Sequence, residues 1–295
     1  MDYRRVMGVD ASVGMNGGRG VRIAVLDSGT PQPIFNNEGR VVSIYDQNDS
    51  KDDEFGHATA IGSILFGGEG IRGLCELAEP VYVKVLNSAG AGSVKSVAHG
   101  ILRAIDAGCD MINLSLGFMR TEKCPKLLEK ACEAACEAGK VIICAAGNDG
   151  GAVNWPAALK TTICVGAAGK NSKKTLFSSS GEVDFVAPGL NLPVFSTDGS
   201  KKLVSGTSFA TALVTGVSAL LISDMKAKGL HVGIEEVREA LKCLVTDVGE
   251  PGWDEETGFG LLAGQEKDIT VGMKIGSTLF GKIIQRIRGL FGLGK

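Results

Sequence analysis

Short runs of consecutive apolar residues alternate with helical stretches along most of this chain, and that alternation limits the folds open to it. Residues 21–26, 41–45, 81–86, 111–116, 141–145, 162–165 and 183–186 read as strands. Several are apolar at successive positions, which suits a strand covered on both faces. Between them, residues 57–65, 93–108 and 124–138 carry helical spacing. Residues 208–223 form a helix of small and apolar side chains, and a last amphipathic helix covers about 233–244. Strands alternating with helices of this length predict an α/β fold. Its layers are a mostly parallel central sheet with helices on both faces. In such folds sites gather at the carboxyl ends of strands, where Asp27 stands.

The chain has 295 residues, enough for one large domain or a domain with a tail, and 44% of them are apolar. Its formal net charge of −2 offers no nucleic-acid surface over the main body. The charge is uneven: residues 1–273 carry about −7, and the stretch from Lys274 onward about +5. None of the eight cysteines forms a CxxC pair, and several fall in apolar strands, so they read as small buried hydrophobes and not as a metal cluster. The first residues lack an apolar signal region, and no run of 18 apolar residues suggests a membrane span. Reduced thiols and the absent signal give the expectation of a cytoplasmic protein.

Four polar residues fit one chemistry. Cleaving an amide with a serine needs a nucleophile, a base, a group that orients the base, and donors for the oxyanion. Asp27 is a carboxylate at a strand end, His57 is one of three histidines and opens a helix, and Ser208 stands among small residues at another helix start. Asn148, in Ala146-Gly147-Asn148-Asp149-Gly150, offers a side-chain NH2. Each has a plainer reading: a strand-end Asp as a turn former, a lone His in packing, a Ser after Gly-Thr as a helix cap, Asn-Asp-Gly as a turn. Their joint occurrence in the order Asp, His, Ser is what argues for the catalytic one.

With their flanks, these residues resemble the subtilisin-like serine proteases. The motifs are Val25-Leu26-Asp27-Ser28-Gly29, Gly56-His57-Ala58-Thr59 and Gly206-Thr207-Ser208-Phe209-Ala210, joined by Ile112-Asn113-Leu114-Ser115-Leu116-Gly117, Ala146-Gly147-Asn148 and Val186-Ala187-Pro188-Gly189. The resemblance covers roughly residues 18–262 and implies a subtilisin-like fold. It implies that Ser208 attacks, His57 moves the proton, Asp27 holds the imidazole, and Asn148 binds the oxyanion with the Ser208 N–H. It further implies an extended polypeptide substrate paired with Ser115, Leu116 and Gly117 on one side and with residues 88–92 on the other. The pocket before the scissile bond would be lined by Ala145, Ala146, Gly147 and Asn154. Ala58 and Phe209 depart from the family's usual Gly and Met but remove no catalytic group.

The expected organisation is a lead-in over 1–20, a peptidase domain over 21–268 and a basic amphipathic tail over 269–295. No long propeptide is visible, which points to an intracellular-type member. No cofactor is required. Calcium is possible, but the family's Asn-rich loop is missing: residues 65–73 are short and hold only Glu69 as a carboxylate. The acids Asp46, Asp49, Asp52, Asp53 and Glu54 read as a solvated polar face, with a second ion site as the alternative. In residues 279–291, Phe280, Ile283, Ile284, Ile287, Leu290 and Phe291 share one helical face. Three destinations suit that face: the domain itself, a partner protein or an anionic membrane surface. The expected function is a serine endopeptidase. The alternatives are a catalytically silent peptide binder or a dedicated maturation or effector protease docked through its tail.

Overall fold

The computed structural model describes residues 1–9, 16–31, 42–45, 50–169 and 172–264. Seven strands form one sheet in the order β2-β3-β1-β4-β5-β6-β7, and every described pairing in it is parallel. They are β1 (Arg22–Asp27), β2 (Val42–Tyr45), β3 (Glu79–Lys84), β4 (Met111–Leu114), β5 (Val141–Ala145), β6 (Ile163–Ala168) and β7 (Phe185–Pro188). The helices are α1 (Tyr3–Val6), α2 (His57–Leu65), α3 (Val94–Asp106), α4 (Lys126–Glu137), α5 (Thr207–Ala227) and α6 (Ile234–Lys242). A separate antiparallel hairpin joins β8 (Leu192–Phe195) to β9 (Lys201–Val204).

Period-two alternation sorts each strand between two cores. Ile23 and Val25 of β1 join α2, α5 and α6 on one face, whereas Ala24 and Leu26 join α3 and α4 on the other. The three-layer arrangement is therefore the one the pattern predicts. β1 lies between β3 and β4, so the chain's winding reverses beside it and opens a crevice at its carboxyl end. Asp27 is the last residue of that strand.

α5 is the core helix, buried over nearly its whole length. It is long and apolar enough to cross a membrane by length and composition, but it is packed inside the protein. Its small residues allow close approach: a Cβ at Gly216 would come within 2.6 Å of the Leu74 side chain. Two features were not foreseen. The hairpin β8–β9 is one. The other is α1, inside the expected lead-in, where Tyr3 is fully buried and its hydroxyl donates to Pro193 O at 2.6 Å. The tail over 269–295 lies outside the described residues.

No disulfide joins any of the eight cysteines; Cys75, Cys109, Cys132, Cys144 and Cys164 are buried, while Cys124, Cys136 and Cys243 are half-buried. Burial pushes the Cys109 thiol up to about 12 and the Cys124 thiol up to about 11. Thiolate is the reactive form, so these thiols are expected to be inert in the native protein. Ellman's reagent at neutral pH should modify the five buried cysteines only after denaturant is added. Rapid native modification of Cys144 or Cys164 would contradict the burial argument.

Candidate active site

β1 delivers Asp27 to the crevice fully buried, where the Ser28 N–H donates to its Oδ1 at 2.7 Å. His57 is the first residue of α2, and its Nδ1 lies 2.9 and 2.8 Å from the two Asp27 oxygens. A carboxylate can only accept, so the ring proton belongs on Nδ1 and Nε2 is left as the acceptor. Phe55 and Phe209 flank the imidazole, with ring centroids 6.4 and 5.6 Å away. Phe209 therefore packs on the base. Burial works to lower the His57 pKa, but the Asp27 charge and hydrogen bond outweigh it; Asp53 adds to them and Lys202 opposes them. The net effect holds the imidazole above its ordinary value.

Ser208 occupies the first turn of α5, whose N-cap, Gly206, has no side chain to cap the helix. Asn148 supplies the missing acceptor from 59 residues away: its Oδ1 takes the Thr207 N–H at 2.8 Å and the Thr207 hydroxyl at 3.0 Å. Both bonds fix the amide so that its NH2 end is the one left to donate. Ser208 Oγ donates to Ser115 O at 2.9 Å, and Ser115 Oγ donates back to Ser208 O at 2.8 Å. Asn113 and Thr215 extend this network: Asn113 Nδ2 donates to Ser115 Oγ at 2.9 Å, and the Thr215 hydroxyl donates to Asn113 Oδ1 at 2.9 Å. Thr207→Val should loosen the Asn148 amide while keeping the backbone N–H. One hydrogen bond of this kind is worth about 1 kcal/mol, or roughly fivefold in rate, so kcat is expected to fall by that factor with KM unchanged. Steady-state kinetics on a short peptide check it.

A cleft of about 420 Å³ brings most of the anticipated residues together. His57, Asn148 and Ser208 line it with Ser115, Leu116, Gly117, Ala145, Gly147 and Asn154. Ala146 does not: it is fully buried in the α3–α4 core, and its backbone acts instead, its carbonyl accepting from Asn154 N at 2.8 Å. Gly147 is required where it stands. Its φ is +123°, and a Cβ there would lie 2.6 Å from Asn154 Nδ2 and Ser179 Oγ. Phe55, Leu86, Phe118 and Thr207 also line the cleft and were not anticipated. The two walls are stitched together by reciprocal bonds between Phe118 and Trp155. Arg120 braces them: its guanidinium lies 4.4 Å from the Trp155 ring centre and forks onto Glu182 at 2.9 and 2.8 Å.

Among the described residues, no group of three or more His, Cys, Asp or Glu side chains is arranged to hold a metal ion. The acidic stretch is not uniformly solvated, contrary to expectation. Asp53 is buried and spends both oxygens on protein donors. Asp46 and Asp49 lie outside the described residues.

Fold and site together define a serine-protease-like catalytic architecture. The subtilase family model matches residues 18–260, and the chain belongs to the subtilase family. It is 33% identical over 252 residues to the minor extracellular protease Epr of Bacillus subtilis, covering 83% of this chain and 38% of Epr. It is 35% identical over 238 residues to subtilisin Savinase of Lederbergia lenta, covering 79% and 86%. The match to M-protease of Shouchella clausii is also 35% but covers 60% of that protein. The chain thus spans less than two thirds of two of these relatives. Among solved structures, the prenylagaramide maturation protease PagA superposes with a TM-score of 0.72 at 28% identity, covering 83% of this chain and 91% of PagA. The protease domain of PatA gives 0.74 at 25% identity, covering 86% and 96%. These relatives overturn one expectation. An extracellular protease and subtilisin-type enzymes stand beside this chain, which argues against a cytoplasmic location and against the intracellular type.

Proposed function

We propose that this chain is a serine endopeptidase. The observation that carries the reading is the Asp27–His57 pair, bonded through Nδ1, sharing a cleft with Ser208 and Asn148 in a chain of the subtilase family. Ser208 Oγ turns from Ser115 O toward His57 when substrate binds, since catalytic hydrogen bonds often tighten only in the complex. Nε2 takes the hydroxyl proton as Oγ attacks the scissile carbonyl, then returns it to the leaving amine. Asp27 stabilises the imidazolium. Asn148 Nδ2 and the Ser208 N–H receive the oxyanion, aided by the positive end of α5. The peptide lies extended along 115–117 and 90–92, with the side chain before the scissile bond against Ala145, Gly147 and Asn154.

The test is labelling by a fluorophosphonate, followed by cleavage-site profiling on a peptide library with Ser208→Ala as the blank. Labelling and cleavage lost together in the variant support the reading. A folded wild-type chain that neither labels nor cleaves favours the silent peptide binder. His57 must be neutral to act as base, and its pKa is held above the ordinary value. Activity is therefore expected to disappear as pH falls through an acid limb centred above about 6.5, which a kcat/KM profile will show.

The likeness to PagA favours one refinement, a maturation protease acting on precursor peptides. Under it, profiling should return one narrow sequence motif, not broad cleavage. The basic tail, residues 269–295, would serve placement and not chemistry. Truncation after Asp268 should leave kcat on a short peptide within tenfold of the full chain.

A further inference from the structure

Asp53 sits four residues before His57, is 5% exposed, and accepts hydrogen bonds on both carboxylate oxygens. Its Oδ1 accepts from the Gly56 N–H at 2.8 Å and from Ser28 Oγ at 2.6 Å. Its Oδ2 accepts from the Thr59 N–H at 2.7 Å and the Thr59 hydroxyl at 2.6 Å. α2 begins at His57 with an N-cap glycine that offers no side chain, so the Thr59 N–H would otherwise lack an acceptor. Asp53 therefore caps the helix that carries the imidazole.

The same carboxylate reaches the other half of the pair. Ser28 Oγ lies 2.6 Å from Asp53 Oδ1 and 3.0 Å from Asp27 Oδ1, and it accepts the Ala58 N–H at 3.1 Å. One hydroxyl thus joins the end of β1, the first turn of α2 and both acids. We propose that Asp53 is a positioning residue for Asp27 and His57, locking helix to strand through Ser28, and that its buried negative charge supports the imidazolium formed during turnover. This rests on the endopeptidase reading above.

The charged groups around His57 separate this role from packing. Asp27 on β1 and Asp53 before α2 favour the protonated ring, and Lys202 on β9 opposes it. On β3, beside β1, Lys84 Nζ donates to Ser28 O at 2.5 Å and to Asp52 O at 3.2 Å. Phe55 and Phe209 add no charge. Asp53 is buried, whereas Lys202 is exposed, so salt should screen the second far more than the first.

The experiment is the pH profile of kcat/KM for wild type, Asp53→Asn, Lys202→Met and Ser28→Ala, each at low and high salt, with thermal melts as the fold control. Asp53→Asn is expected to move the acid limb to lower pH at both salt concentrations and to lower the plateau about tenfold. Lys202→Met should move the limb to higher pH, and only at low salt. Ser28→Ala keeps both charges, so its limb should stay while the plateau drops about tenfold. A folded Asp53→Asn whose limb is unmoved or moves upward overturns the proposal. If Asp53→Asn does not fold, Ser28→Ala decides, and wild-type kinetics in it would overturn the proposal. Loss of cleavage in the wild type itself would instead remove the endopeptidase reading.

Discussion

Ser208→Ala is expected to remove amidase activity, by about 10⁶-fold in kcat, while the fold stays intact. The magnitude is that of subtilisin, a relative; what this structure contributes is the reason the fold should survive. Ser208 Oγ makes one hydrogen bond, to Ser115 O, and its loss costs about 1 kcal/mol. Asn148 and Thr207 go on capping α5 without it. A melt within a few degrees of wild type, together with no product from a short peptide, is the expected pair of results. Activity within tenfold of wild type would remove Ser208 from the chemistry.

Asn148→Ala is expected to lower kcat by about 10²–10³ and to leave KM nearly unchanged. The amide is asked to hold charge present mainly in the transition state. That figure too is subtilisin's. Here the side chain has a second duty, because its Oδ1 serves the Thr207 N–H. Losing such a cap costs roughly 1 kcal/mol of stability, so the alanine variant should also melt earlier. Asn148→Asp separates the two duties: it keeps the acceptor and loses the donor. It should match wild type in melting and be at least as slow as the alanine variant. A loss confined to KM would make Asn148 a substrate-binding residue.

The residues proposed to carry the chemistry were singled out by residue type and chain order, and the fold brings them near one another. His57, Asn148 and Ser208 line one cleft, with Asp27 bonded behind His57, because β1 ends at Asp27, α2 opens at His57, α5 opens beside Ser208 and Asn148 follows β5. Element order was legible for a similar reason, since buried parallel strands and amphipathic helices differ in period. Element ends were harder. The run from 111 reads as strand to 116, yet pairing with β5 stops at Leu114, and Ser115 to Gly117 peel away to line the cleft. Ala146 reads as a wall residue, but which side it faces depends on where β5 ends. Asp53 looks like its acidic neighbours because its donors include Ser28, just past the end of β1, and Thr59 on α2, which local sequence does not reveal. α1 was hidden for the opposite reason: its four residues are held by tertiary docking of Tyr3 and have little helical signal of their own.

The burial of α5 ties the nucleophile's fate to that of the whole domain. Its first turn belongs to the same hydrogen-bonded cylinder that fills one side of the sheet. Amide exchange in that cylinder should proceed only by global opening, and Ser208 cannot drift from its place by local fraying. Heating should then inactivate and unfold this chain as one event, with no intermediate temperature at which the body persists and the serine has come loose.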